Sequence, residues 1–139
     1  MRLGLIMLGV AVGLFVGLSG AAYAQDQKLS VELNRVDQQG EACRFDWRVT
    51  NRTESGIDDL AADMVLFDQA GVNIARMVVP FGALAREKSV LRSFQLRPFE
   101  CARVGEALLN GVAQCVADPP LDCLAAIAVS SRASIPLSR

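Results

Sequence analysis

Four cysteines are the residues of this chain best suited to chemistry, and the sequence contains no histidine. Without histidine, the base that activates the nucleophile in the usual serine and cysteine hydrolases is missing. Zinc sites and thioredoxin-like redox sites typically contain a close C-x-x-C pair, and the sequence has none. The sequence therefore predicts a protein that is not an enzyme, with no catalytic residue, no metal site and no cofactor.

An even number of cysteines in an exported protein favours two disulfides, for which three pairings are possible. Cys115 and Cys123 flank the segment VADPPLD, whose prolines and aspartates are typical of a tight loop. We therefore favour a local bridge between these two. That pairing leaves Cys43 to bond with Cys101.

The remaining polar candidates have simpler explanations. Lys88 and Ser89 resemble a Ser-Lys pair, but adjacent strand residues point to opposite faces, and a nucleophile needs its base within reach. Asp58, Asp59 and Asp63 are a possible calcium site, although aspartates are mostly solvated, and we expect that here. The sequon Asn51-Arg52-Thr53 matters only in a host that glycosylates secreted proteins.

Arg92 stands out because it interrupts an apolar strand face, between Val90 and Phe94. One interpretation is a bulge that turns it outward, or an inward charge that protects an edge strand from pairing. The other is a cation positioned for an anionic ligand or for a carboxylate of a partner. We favour edge protection.

An outward apolar set of Val65, Phe67 and Leu91 is the second candidate binding feature. If these side chains cluster, they form a patch suited to a partner. The alternative is that a loop or a dimer covers them.

The N-terminus predicts export. An uncharged apolar run follows Arg2, and Ala22-Tyr23-Ala24 fits the small-x-small pattern that signal peptidase accepts. The alternative is a retained membrane anchor. We expect cleavage after Ala24, which leaves residues 25–139 as one domain in the periplasm or outside the cell. The net charge of −1 gives no reason to expect nucleic acid or, after signal removal, a membrane surface as partner.

Alternating residues predict the elements that position these side chains. In ACRFDWRVTN (42–51), the apolar residues occupy every second position and the charged residues lie between them, which is typical of a half-buried strand. Asp68–Gly71 predicts a hairpin turn, and Pro80 predicts the end of the next strand. The segment 101–115 fits either a helix or a strand that ends at the Asn110-Gly111 turn signal, and we favour a strand.

About seven such strands with turns between them predict an all-β, immunoglobulin-like antiparallel two-sheet sandwich, stapled by the two disulfides.

The stretch WRVTNRTESGIDDLAADMVLFDQAGVNIARMVVPFGALAREKSVLRSFQL resembles the bacterial immunoglobulin-like domains of the FxLYD kind. The shared features are a strand that ends in Val-x-Asn, a polar link, and a later "l.d..G" signal. The four-cysteine pattern is similar to that of small periplasmic proteins of alphaproteobacteria. The resemblance implies a periplasmic location and an adhesive, accessory or carrier role, and it supplies no catalytic residues.

Two functions follow as hypotheses. The first is an exported, non-catalytic module that binds a protein or an envelope component through a sheet face or edge. The alternative is a carrier or sensor of a small ligand, with a cleft near Arg92.

Overall fold

A computed structural model describes residues 27–139 of the chain. The predicted signal peptide, residues 1–24, lies outside the described residues. Within the described part, no helix is long and apolar enough to cross a membrane.

The described chain forms two sheets of four strands each, which confirms the predicted all-β sandwich. The first sheet has the order β5-β2-β1-β7 and the second the order β4-β3-β6-β8. The strands are β1 Leu29–Gln39, β2 Ala42–Asn51, β3 Gly56–Phe67, β4 Asn73–Leu84, β5 Lys88–Leu96, β6 Glu106–Asp118, β7 Ile127–Ser131 and β8 Leu137–Ser138. Two pairs, β1–β7 and β6–β8, are parallel, whereas the sequence analysis expected antiparallel pairing throughout.

The core forms where the inner faces of the two sheets meet. Phe45 and Trp47 of β2 are fully buried, and the Trp47 ring meets Phe81 of β4 edge-on, with ring centroids 6.1 Å apart. The half-buried strand predicted from the alternation in ACRFDWRVTN is therefore confirmed, because the apolar side chains of this segment all lie in the core. The aromatic contact joins the two sheets and so fixes how they face each other.

Both favoured disulfides are present. Cys43 bonds with Cys101 across 58 residues, and Cys115 bonds with Cys123 across 8. The long bridge ties β2 to the three-residue 3₁₀ turn Cys101–Arg103 that precedes β6. The short bridge ties β6 to a four-residue helix, α1 (Cys123–Ala126).

Two predicted breaks do not occur. The strand interpretation of 101–115 is confirmed from Glu106 onward by β6, whereas Cys101–Arg103 form a 3₁₀ turn; the turn predicted at Asn110-Gly111 is wrong. The pairing of β6 with β3 shifts there by one residue, so Asn110 lies in a bulge that bends the strand without ending it. Pro80 likewise does not end β4, because β4 is an edge strand and an edge tolerates a residue without a backbone N–H.

Candidate functional site

The outer faces of the two sheets differ in chemistry. The outer face of the first sheet consists mostly of charged and hydroxyl side chains that bind one another. Arg132 binds Glu32 with an N–O distance of 3.1 Å, and the hydroxyls of Thr50 and Ser89 are 2.7 Å apart. This surface is satisfied by its own polar contacts, as expected for a solvated face.

Asp46 is the centre of the polar network on the first sheet. Its Oδ1 accepts hydrogen bonds from Arg44 Nε at 2.8 Å and from the Ser93 hydroxyl at 2.5 Å. Burial would raise the pKa of Asp46, but the hydrogen bonds from Ser93 and Arg44 outweigh it and lower the pKa. The carboxylate is thus held ionised by neighbours on β2 and β5 and has a structural role.

The outer face of the second sheet carries a group of apolar residues among its polar ones. Strand pairing places Val65 of β3 between Arg76 of β4 and Leu108 of β6. Val78 is 52% exposed and Val116 is 44% exposed. We call this surface the apolar face and define it by its apolar members, which are Ala61, Val65, Phe67, Val78, Pro80, Leu108 and Val116.

A single ion pair lies in the middle of the apolar face. Arg76 donates to Asp63 through both Nε, at 2.9 Å from Oδ1, and a terminal nitrogen, at 2.7 Å from Oδ2. Asn110, in the β6 bulge, donates to the same Oδ2 at 2.7 Å. The hydrogen bonds from Arg76 and Asn110 lower the pKa of Asp63, and the pKa of Arg76 is raised in return. A bidentate pair of this kind fixes the plane of the guanidinium group.

Beside this ion pair the surface is slightly concave. A depression of about 470 Å³ is lined by Asp63, Arg76, Met77, Val78, Gly111, Val112 and Ala113. A Cβ added to Gly111 would meet nothing within 4 Å, so the floor of the depression is open at that point.

The predicted apolar set is divided between the two sheets. Val65 and Phe67 belong to the apolar face, with Val65 only 7% exposed. Leu91 lies on the outer face of the first sheet, next to Arg48, and is 57% exposed. The structure therefore does not bring the three side chains together.

Arg92 lies on the inner face of the edge strand β5, in register with Trp47. The pairing of β5 with β2 is regular, so no bulge turns the side chain outward. Its Nε crosses to the other sheet and donates to the backbone oxygen of Phe81 at 2.9 Å. Arg92 is therefore an inward-pointing charge on an edge strand, which is one of the interpretations that the sequence suggested. The hypothesis of a ligand cleft near Arg92 stays a prediction.

The three aspartates considered for calcium are not assembled into a site. Asp58 falls in an irregularity of β3, and Asp63 is committed to Arg76 and Asn110. Among residues 27–139, no group of three or more acidic or cysteine side chains is placed to hold a metal ion.

The asparagine of the sequon is a structural residue. Asn51 is fully buried, and its Nδ2 donates to the backbone oxygens of Ser55 at 2.9 Å and Leu84 at 3.0 Å. Its Oδ1 accepts from the backbone and the hydroxyl of Thr53. The amide therefore satisfies backbone groups of two segments, the loop that follows β2 and the end of β4, which leaves no free side chain for a glycan.

Lys88 and Ser89 do not meet as a catalytic pair. Ser89 pairs with Thr50 on the outer face of β2, whereas Lys88 is in register with the buried Asn51.

Sequence reasoning missed most of the apolar face. The run Met77-Val78-Val79 has no alternation, so nothing in it marks Val78 as the outward member. Leu108 was obscured by the helix-or-strand ambiguity of its segment. The pairing of β3 with β4 brings Asp63 near Arg76. In the sequence, only the hairpin turn at Asp68–Gly71 indicated how these two strands align.

Comparisons with known proteins support the fold and give no information on function. No family model and no curated protein matches the chain. The solved structure of IrmA from Escherichia coli is similar over 73% of this chain and 89% of its own, with a TM-score of 0.55 and 12% sequence identity. At that identity the likeness extends to the sandwich architecture and not to any residue of the apolar face.

Proposed function

We propose that this protein is an exported, non-catalytic binding module that holds a protein partner on its apolar face. The observation that carries the proposal is the difference between the two outer faces. On the first face Arg132 and Arg44 pair with Glu32 and Asp46, and on the second Val78 and Val116 are exposed near the ion pair of Asp63 with Arg76. Exposed apolar patches rimmed by polar residues typically mark interaction sites.

The arrangement has the features of an interface centre. Val78 and Val116 are the exposed large hydrophobic residues of the face and would gain from burial. The Arg76 side chain is 66% exposed, yet Asp63 holds its guanidinium group in one orientation. Arginine is frequent among residues that dominate binding energy, and orientation before binding reduces the entropy that binding costs.

The cysteines support a location outside the cytoplasm for this activity. Two disulfides are consistent with an oxidising environment outside the cytoplasm. The signal sequence expected in residues 1–24 supports the periplasm or the cell exterior, so the partner we propose is a protein of the envelope.

Site-specific photo-crosslinking in the cells that export the protein tests this proposal. A photoreactive side chain replaces either Val116 on the apolar face or Leu91 on the opposite face, two exposed apolar strand residues at 44% and 57% exposure. We expect an adduct with a different protein from position 116 and none from position 91. Purified wild-type protein should compete for that adduct, and a Leu108→Asp variant should not.

Equal adducts from both positions, or an adduct from position 91 alone, would exclude the apolar face as the binding surface. Circular dichroism of the Leu108→Asp variant controls for folding, because Leu108 is only partly buried on the outside of β6.

A further inference from the structure

The depression on the apolar face lies beside two irregularities of β6. Asn110 and Ala113 each lack a partner on β3, whereas Gly111 and Val112 between them are paired with it. Bulges bend a strand, re-aim its side chains and are frequent next to functional sites. Two bulges this close together give the outer face of β6 a concave shape at the position of the ion pair.

Gly111 leaves the floor of this depression open. Its φ is not positive, so the backbone conformation there does not require a glycine. A Cβ at this position would meet nothing within 4 Å, so what glycine provides is free space above the strand. A glycine inside a strand often marks a site that another group approaches closely.

Arg76 forms one wall of the depression with a guanidinium group that is fixed and still accessible. Its side chain is 66% exposed. Of its five N–H donors, Asp63 occupies two, and the other three make no hydrogen bond within the described chain. A bidentate contact of this kind lies in the guanidinium plane, so Asp63 does not cover the two flat faces of the group.

The charges in the depression select against a charged ligand group. Asp63 and Arg76 are the charged residues among those that line it, and they neutralise each other. A carboxylate would be repelled by Asp63, and an ammonium group would be repelled by Arg76.

Among uncharged groups, an aromatic ring gains more here than an aliphatic one. Both would bury Val78 and Val112, which also line the depression. A ring in addition stacks on a guanidinium plane, which attracts the negative face of the ring. A flat group also fits over a residue that has no side chain, as Gly111 does.

We propose that the partner inserts an aromatic side chain into this depression, over Gly111 and against Arg76. The inference rests on the proposed function, since it specifies what the partner presents to the apolar face. Aromatic and arginine side chains are the residues most often found to dominate binding energy at interfaces. The depression is thus the anchoring subsite of the apolar face.

Nuclear magnetic resonance with two neutral probes tests the chemistry of the depression directly. The probes are N-acetyltryptophan amide and N-acetylleucine amide, added to isotope-labelled protein. We expect the tryptophan probe to shift the signals of the Gly111 amide and the Arg76 Nε–H group saturably, with a dissociation constant of about 1 mM for so small a ligand. The leucine probe should bind more weakly, because it has no ring to stack on the guanidinium group.

Two substitutions separate the floor of the depression from its wall. Gly111→Val fills the open space and should abolish the shift at Arg76, and circular dichroism should show an intact fold because valine suits a strand. Arg76→Lys keeps the charge but removes the planar group, so the dissociation constant of the tryptophan probe should rise roughly two- to fivefold. The matched Arg48→Lys variant makes the same change at an exposed arginine of the first sheet and should bind the probe as the wild type does.

Three results overturn the inference. They are the absence of a saturable shift with the tryptophan probe, equal affinity for the two probes, and unchanged affinity for the tryptophan probe in the Gly111→Val variant.

The crosslink from position 116 separates this inference from the proposed function. Gly111→Val, added to the protein with the photoreactive side chain at position 116, should remove the adduct. An adduct that survives this change leaves the proposed function standing and overturns the aromatic anchor. Absence of any adduct without the Gly111 change refutes the proposed function, whereas the two probes still confirm or overturn the aromatic subsite.

Discussion

Gly105 allows the start of β6 to lie against the turn that joins β3 to β4, and its replacement by alanine gives the sharpest test of the packing. The Gly105 N–H donates to the backbone oxygen of Phe67 at 2.7 Å. A Cβ at this position would lie 2.7 Å from the carbonyl carbon and oxygen of Asp68 and 2.8 Å from the nitrogen of Gln69. Carbon atoms in contact prefer a separation of about 3.5–4.0 Å, so one of the two segments has to move.

The turn is poorly able to move because its own hydrogen bonds hold it. Oδ1 of Asp68 accepts from the backbone N–H groups of Ala70 and Val72, both at 2.9 Å. The Asp68 N–H donates to the backbone oxygen of Val72, and the Gly71 N–H donates to that of Asp68. Overpacking of a well-packed site costs about 1–3 kcal/mol of stability. We expect the cost of Gly105→Ala at the upper end of this range, because the three atoms nearest to the new Cβ all belong to the backbone.

Gly111→Ala, within the strand β6 that Gly105 precedes, is the matched control. A Cβ there meets nothing within 4 Å, and Gly111 is not among the glycines with positive φ. Alanine at a compatible glycine stabilises by about 0.4–1 kcal/mol because it restricts the unfolded chain. For a domain of this size, the two variants should differ in melting temperature by about 10 °C, with Gly105→Ala the lower. Equal melting temperatures would mean that the turn yields, and would refute the clash as a determinant of stability.

Three further predictions concern the polar and covalent framework. Asn51→Ala should lower the free energy of unfolding by about 3 kcal/mol in urea denaturation, because it leaves buried backbone groups without partners; a loss below about 1 kcal/mol would contradict that role. Removal of Cys43–Cys101, which closes 58 residues, should cost about 4 kcal/mol against about 2.5 kcal/mol for the 8-residue bridge, and thermal unfolding of the two double-alanine variants should rank them in that order. The pKa of Asp63 is lower in the folded chain than in the unfolded chain, so its contribution to stability is complete above about pH 5 and is lost as the pH falls from the unfolded value near 3.9 through the lower folded value. Asp63→Asn should therefore lose less stability than the wild type between neutral and acidic pH, and parallel curves would show that the ion pair adds nothing.

The fold was predictable because its signals are local. Alternation fixes which side chains share a face of a strand, and β2 shows this with Phe45 and Trp47 buried on one side and Arg48 exposed on the other. The disulfide pairing followed from one loop composition, since a bridge between Cys115 and Cys123 left a single alternative for the other two cysteines.

What the sequence did not reveal depends on contacts between distant segments. Alternation does not tell to which sheet an outward residue belongs, so Val65 and Leu91 looked alike although they lie on opposite outer faces. The parallel pairs of β7 and β8 are equally invisible, because both strands are short and their partners are far away in the sequence. Asn110-Gly111 has the composition of a turn, but pairing with β3 on both sides of it makes it a bulge.

The exposed valines of the second sheet are the part of the surface that the fold itself does not explain. Val78 and Val116 contribute nothing to the core, yet they stay exposed on strands whose inward side chains are buried. Between their strands, Asp63 of β3 holds the exposed Arg76 side chain in one orientation. Both features are explained if the second sheet is the side on which the protein meets a partner, because apolar side chains gain from burial and an oriented arginine loses less entropy on binding.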